Sequence, residues 1–282
     1  MRFRDSFFRD RTPLTDKIGK TMNRSSPPNY QIRALDRALT VLETFHPRHP
    51  EQDLDEICER SGLPKSTTFK ILSVLEYRGY VQKNEVTGRY RIGFQAYEVG
   101  NLYLAGLSVF EVVHPVLRRL AARFPKSSAH LAVLSPNNGQ IVYLDIVSLN
   151  IFLSLVPVGS HYPAHSTALG KCLLADLPEP ELRRRLERIQ MSQFTPRTIV
   201  DSQVLRQHLA TVRQRGYATD DEEMAPGNLC VAVAIRGRRG DAIAAISTSH
   251  MKTPMVVDEP TLVSVMLRAG QEISHSLGHI PG

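Results

Sequence analysis

Residues 54–92, LDEICERSGLPKSTTFKILSVLEYRGYVQKNEVTGRYRI, constrain the fold more than any other stretch. Leu54, Ile57 and Cys58 fall on one helical face. Ser61-Gly62-Leu63-Pro64 then breaks the chain. Glycine supplies the freedom in φ that such a corner needs, and proline is tolerated in the first turn of the helix that follows. Phe69, Leu72 and Leu75 continue at helical spacing, with Ile71 and Val74 widening the apolar stripe, and Gly79 ends the helix. Tyr80-Val81-Gln82 and Arg89-Tyr90-Arg91-Ile92 alternate at a period of two around a Thr87-Gly88 turn. Helix, tight turn, helix and hairpin in this order predict a winged helix-turn-helix.

Charge points the same way. Between Arg60 and Ile92 stand seven basic residues and two acidic ones. Lys65, Ser66, Thr67, Thr68 and Lys70 open the second helix, the polar end that a recognition helix presents to a major groove. Arg89 and Arg91 lie on the wing, within reach of phosphates or an adjacent minor groove. The plain alternative is a solvated helix and hairpin with ordinary surface charge. Pattern and charge together favour duplex DNA.

The chain has 282 residues, 42% hydrophobic and 22% charged, which suits one large or two ordinary globular domains. Its net charge of +7 favours an anionic partner. Cys58, Cys172 and Cys230 form neither a disulfide framework nor a zinc spacing, and a reducing cytoplasm fits them. No apolar run approaches the roughly 18 residues of a membrane span, and the N-terminus has no apolar signal-peptide core.

Residues 1–30 read as a flexible basic arm, with seven basic and three acidic groups and no sustained period. Residues 31–45 form an amphipathic helix, with Ile32, Leu35, Leu39, Leu42 and Phe45 at spacings of three and four. Core packing is its default role, with a dimer surface as a partial one. A DNA-binding domain over 31–93 is therefore followed by a linker helix over 94–108 and a second domain over 109–282. That second domain opens with a helix over 109–124. Strands follow at 128–134, 140–147 and 152–158, then helices at 165–174, 179–189 and 204–215. Strands at 228–235 and 242–248 and a terminal helix at 259–277 complete it. Strands in hairpins mixed with helices indicate an α+β domain with an antiparallel sheet, able to hold a small ligand between its face and the loops above.

Over nearly the whole chain from about residue 31, these segments resemble the IclR family of bacterial transcriptional regulators. The resemblance is carried by Arg37-Ala38-Leu39, Gly62-Leu63-Pro64-Lys65-Ser66-Thr67, Gly79-Tyr80-Val81 and Thr87-Gly88-Arg89-Tyr90-Arg91-Ile92-Gly93. In the second half, His165-Ser166-Thr167-Ala168-Leu169-Gly170-Lys171, Asp220-Asp221-Glu222-Glu223, Cys230-Val231-Ala232 and Ala244-Ala245-Ile246-Ser247 carry it. The resemblance implies a winged helix-turn-helix, a linker helix and a GAF-like effector-binding domain. It also implies an operator in double-stranded DNA, a homodimer or homotetramer, and a small carboxylate or aromatic metabolite as effector. No membrane partner, cofactor, metal or catalytic residue is implied. Matched position by position, the effector contacts would be Ala168, Leu169, Asp220, Cys230, Ser247 and Ser249, with Ile151, Ser154 and Tyr162 as the wall. The chemistry is independently sensible. Backbone N–H groups opening the 165–174 helix suit a carboxylate, and Ser247 and Ser249 share one strand face.

Two other readings compete. His161, His165, Cys172, Asp220 and Glu223 are the residues from which an enzyme site would be assembled, but no nucleophile elbow, HExxH or phosphate-binding loop connects them. A metal held by His161, His165 and Cys230 is disfavoured by Pro163 between the histidines. A GAF-like protein with an enzymatic or purely sensory role and no specific operator is the remaining alternative.

Overall fold

The computed structural model describes residues 32–46, 49–106, 109–136, 138–149, 156–253 and 257–280. The expected arm over 1–30 lies outside them. Helices α1 (Arg33–Leu42), α2 (Leu54–Ser61) and α3 (Lys65–Tyr77) pack around Val41, Ile57, Leu72 and Leu75. Strands β1 (Glu51–Gln52), β2 (Val81–Lys83) and β3 (Tyr90–Ile92) form a small antiparallel sheet in the order β1-β3-β2. Its Val81 and Tyr90 complete the core.

Local chemistry explains each boundary. Asp53 and Glu56 close a reciprocal capping box at the start of α2: Asp53 Oδ1 accepts from Glu56 N at 2.9 Å, and Asp53 N donates to Glu56 Oε2 at 2.8 Å. Gly62, at φ +68°, ends α2 in the left-handed conformation that the corner requires. The wing tip is closed by Asn84, whose Oδ1 accepts from Val86 N and Thr87 N.

The rotation of α3 differs from the sequence expectation. Leu72 and Leu75 fix which side faces the core, and Thr68, one turn earlier, is carried inside with them. Its hydroxyl donates to Pro64 O at 3.2 Å, so the burial leaves no polar group unpaired. Thr68 therefore leaves the outward set. Phe69 and Val74, expected in the apolar stripe, are turned out, and Phe69 is 50% exposed. In α1, Val41 is buried and Leu42 and Phe45 are partly covered, while Ile32, Leu35 and Leu39 remain 66%, 55% and 42% exposed. Only half of that helix's apolar set packs into its own domain.

Helix α4 (Phe94–Gly106) leads to α5 (Val109–Arg123) and a six-stranded antiparallel sheet. Its strands are β4 (Ser127–Leu134), β5 (Gln140–Ser148), β6 (His161–Pro163), β7 (Ala218–Asp221), β8 (Asn228–Arg236) and β9 (Ala242–Met251), in the order β6-β5-β4-β9-β8-β7. One face packs on α5 and the terminal helix α9 (Glu259–Ser276) through Leu117, Leu131, Val233, Ile246 and Met266. The other is covered by α6 (Ala168–Asp176), α7 (Glu179–Leu186) and α8 (Ser202–Arg215). This is the expected α+β arrangement with an antiparallel sheet.

Two boundaries move. Of the strand expected over 152–158, residues 152–155 lie outside the described residues and 156–158 are not strand. The pairing is made instead by His161–Pro163, with Tyr162 opposite Ile141. The helix expected from 165 is a 3-10 turn over Ala164–Ser166 followed by α6, with Thr167 as its N-cap. Gly170 permits that stacking, because a Cβ there would lie 2.3 Å from the Ala164 Cα.

Candidate functional site

Strand register brings the downstream candidates onto one face. Asp220 lies opposite Cys230, Cys230 opposite Ser249, Ser249 opposite Ser128, and Ser128 opposite Ser148. Residues in lateral register point to the same side, so these form one polar row across five strands. Two residues along, Ala218, Ala232, Ser247, His130 and Ile146 form the next row. Helix α6 lies over this face, with Ala168, Leu169 and Cys172 against Ala232 and Ala245. Asp220, Cys230, Ser247, Ser249, Ala168 and Leu169 thus share one neighbourhood. Tyr162 borders it, edge-on to Tyr143 at 5.5 Å between ring centroids. Ile151 and Ser154 lie outside the described residues.

Three residues join this set unannounced. His130 places Nδ1 3.2 Å from Ser247 Oγ and sets its ring edge-on to Tyr143. Asn228 accepts from Ser249 Oγ at 2.8 Å and donates to Cys230 Sγ at 3.1 Å. The alternation of β4 alone would have placed His130 beside Ser128. Tyr143 was hidden by a bulge: Leu131 pairs with Asp145 but Ala132 with Tyr143, so β5 changes face across Leu144.

The electrostatics are those of a nearly neutral, hydrogen-bonding site. Asp220 is buried, and its Oδ1 accepts from Glu223 N at 2.8 Å and Met224 N at 3.1 Å. Burial nevertheless raises its pKa to about 7. Burial lowers His130 to about 4, which leaves its imidazole neutral, and pushes the Cys230 thiol up to about 12. Lys171, fully buried on α6, is ion-paired with Glu223, whose Oε2 has no partner among the described residues. At the start of α6, Thr167 Oγ1 accepts from Gly170 N at 3.1 Å, and Lys171 N donates to Thr167 O. Ala168 and Leu169, both buried, are the first two residues of α6, whose N–H groups have no acceptor within the helix. Donors at a helix N-terminus, packed on a sheet face that carries hydroxyls, suit a small molecule with an acidic end.

The upstream candidates lie on a separate surface. Lys65, Ser66 and Lys70 are exposed on α3 and Thr67 is half-buried; Phe69 and Ser73 share the outward face. Lys65 pairs with Asp55 at 2.6 Å, an exposed contact that costs little to exchange for a phosphate. Arg91 is exposed on the wing and donates to Gln82 Oε1 at 3.0 Å. Arg89 is committed within the protein: its Nη2 donates to Glu51 O at 3.0 Å and Glu56 Oε2 at 2.6 Å, and its Nη1 lies 3.5 Å from Asp53 Oδ2.

The enzyme candidates are not assembled into a reactive group. Cys172 Sγ donates to Ala232 O, and burial pushes its thiol up to about 12, so it is a weak nucleophile. His165 Nε2 is spent on Ser192 O at 3.0 Å. No group of three or more metal-ligating side chains forms among the described residues, and no described helix is long and apolar enough to cross a membrane.

Comparison with known proteins joins the two surfaces in one family. Residues 34–85 match the IclR helix-turn-helix domain, and residues 101–275 match the bacterial transcriptional regulator IclR C-terminal domain. The chain is 30% identical to the transcriptional repressor IclR of Escherichia coli K12 over 94% of its length and 98% of that protein's. It is 32% identical to the HTH-type transcriptional regulator XynR of the same organism, over 88% and 98%. Among solved structures, an IclR homologue from Microbacterium hydrocarbonoxydans complexed with 4-hydroxybenzoate superposes with a TM-score of 0.77 at 26% identity, covering 86% of this chain and 98% of that one. The Thermotoga maritima IclR superposes at 0.67 with 28% identity, covering 88% and 100%. The chain belongs to the IclR family of DNA-binding transcriptional regulators with a C-terminal ligand-binding domain.

Proposed function

We propose that the ligand is a small carboxylate, aromatic or aliphatic, held between the start of α6 and the polar row of the sheet. The observation that carries this reading is the opening pair of N–H groups of α6, at Ala168 and Leu169, packed on the sheet face that carries Asp220, Cys230, Ser247 and Ser249. They would take the carboxylate, as helix N-termini do. The serine hydroxyls and the neutral His130 would bond the rest of the molecule, and Tyr143 and Tyr162 would flank an apolar or aromatic portion. The 4-hydroxybenzoate in the Microbacterium homologue has the same two ends, an acid and a ring.

In the N-terminal winged helix, Lys65, Ser66, Thr67 and Lys70 would enter the major groove, with Arg91 on a phosphate. We assign 31–93 to DNA binding, 94–108 to the linker and 109–282 to ligand binding, in a regulator without catalytic activity that works beside the DNA of the cytoplasm. A homo-oligomer is supported by the exposed Ile32, Leu35 and Leu39 of α1 and Phe94 and Tyr97 of α4, more apolar surface than a lone domain usually shows.

A thermal-shift screen of small carboxylates, 4-hydroxybenzoate among them, tests the ligand. A binder should raise the melting temperature by mass action. Its effect should vanish in the Ser247→Ala/Ser249→Ala variant. Neutral compounds that bind better than any acid would contradict a carboxylate site.

A further inference from the structure

We propose that Phe69 is a specificity residue of DNA binding, its ring packing on the 5-methyl group of a thymine in the major groove. This rests on α3 being the reading helix. Phe69 stands half exposed among Lys65, Ser66, Lys70 and Ser73, with the exposed Tyr77 at the far end of the helix. It takes no part in the core of its domain, which the neighbouring Leu72 and Leu75 fill. Ser73 turns its hydroxyl back onto Phe69 O at 2.9 Å. Two lysines bracket it, and Lys70 has no acidic partner among the described residues. A second protein chain would have to bury those ammonium groups, whereas a duplex meets them with phosphates. Within a major groove the apolar feature that distinguishes bases is the thymine methyl, and a phenylalanine side chain is one of its natural contacts.

The test begins with duplexes selected from a random pool by the full-length protein. Each thymine of the selected site is then replaced by deoxyuracil, which keeps every hydrogen bond and removes only the methyl. At one position, or at it and its symmetry mate, replacement should weaken binding roughly fourfold per site, the worth of one buried methyl. The Phe69→Ala protein should bind the thymine duplex more weakly by a similar factor and be indifferent to uracil. Phe69→Leu should retain part of the discrimination.

A wild-type protein blind to every replacement overturns the proposal, as does a Phe69→Ala protein that still discriminates. Selection repeated with Ser66→Ala/Thr67→Ala separates this failure from that of the underlying reading. A consensus unchanged in that variant would remove α3 from base reading altogether and Phe69 with it. A changed consensus beside uracil-blind binding would remove Phe69 alone.

Discussion

Asp220 shows how one buried side chain sets the behaviour of a site. Its carboxyl ordinarily titrates near 3.8, and in the fold near 7, because burial outweighs the nearby Lys171 and the two backbone donors. Between those values the folded chain holds a proton that the unfolded chain has released. Its contribution to stability is therefore fully present below about pH 4 and is lost as pH rises towards 7. Burial raises Glu223 as well, and that shift acts in the same direction. His130 and His250 act oppositely: burial lowers both to about 4, so their contribution is lost as pH falls from about 6.5. Asp220→Asn keeps the acceptor for Glu223 N and Met224 N and removes only the charge. The variant should gain more stability over wild type at pH 8 than at pH 5, as read by urea unfolding at both. An equal gain at both pH values would show that Asp220 is not the titrating group.

The wing teaches the same lesson for an element. Arg89 looks from its position like a phosphate contact, yet its guanidinium joins the hairpin to the capping box of α2 through Glu51, Glu56 and Asp53. Arg91 alone of the pair is turned to solvent. Arg91→Ala should therefore reduce the slope of log affinity against log salt by about one. Arg89→Lys should weaken binding with the slope unchanged, because an ammonium cannot span the carbonyl and carboxylate that a guanidinium forks across. Fluorescence anisotropy over a salt series separates the two. A lysine variant with full affinity, beside an alanine variant with a shallower slope, would return Arg89 to the phosphates.

Element order was legible because Gly62, Pro64 and Gly79 punctuate strong periods. The facing of α3 was not. Its segment Lys65-Ser66-Thr67-Thr68-Phe69-Lys70 offers a threonine that satisfies itself inside and a phenylalanine that faces out, and helical phase is decided by Leu72 and Leu75 beyond it. In the proposed ligand site, Asp220, Cys230, Ser247 and Ser249 were suggested through family resemblance, since their adjacency is made by strand register between distant segments. Tyr143 was missed because a bulge, which leaves no mark in the alternation, decides which side it meets, whereas the alternation of β4 did offer His130.

At the scale of the whole molecule, a polar row on one sheet and an outward face on one helix are parts of a single regulator. Two features lie in the first helix after the linker. Pro115 interrupts the hydrogen bonding of α5. The neighbouring His114 holds Asp145 at 2.6 Å, two residues from Tyr143 on β5. A ligand alters DNA binding only as far as it favours one arrangement of the chain over another, and the coupling is reciprocal. The most direct measurement is the affinity of the full-length protein for its selected duplex, with and without saturating carboxylate, in wild type and in Ser247→Ala/Ser249→Ala. The wild type should shift by about 5- to 150-fold, while the variant binds free duplex normally and does not respond. A shift that survives in the variant, or a carboxylate that fills the wild-type site without changing duplex affinity, would contradict the link between the two surfaces.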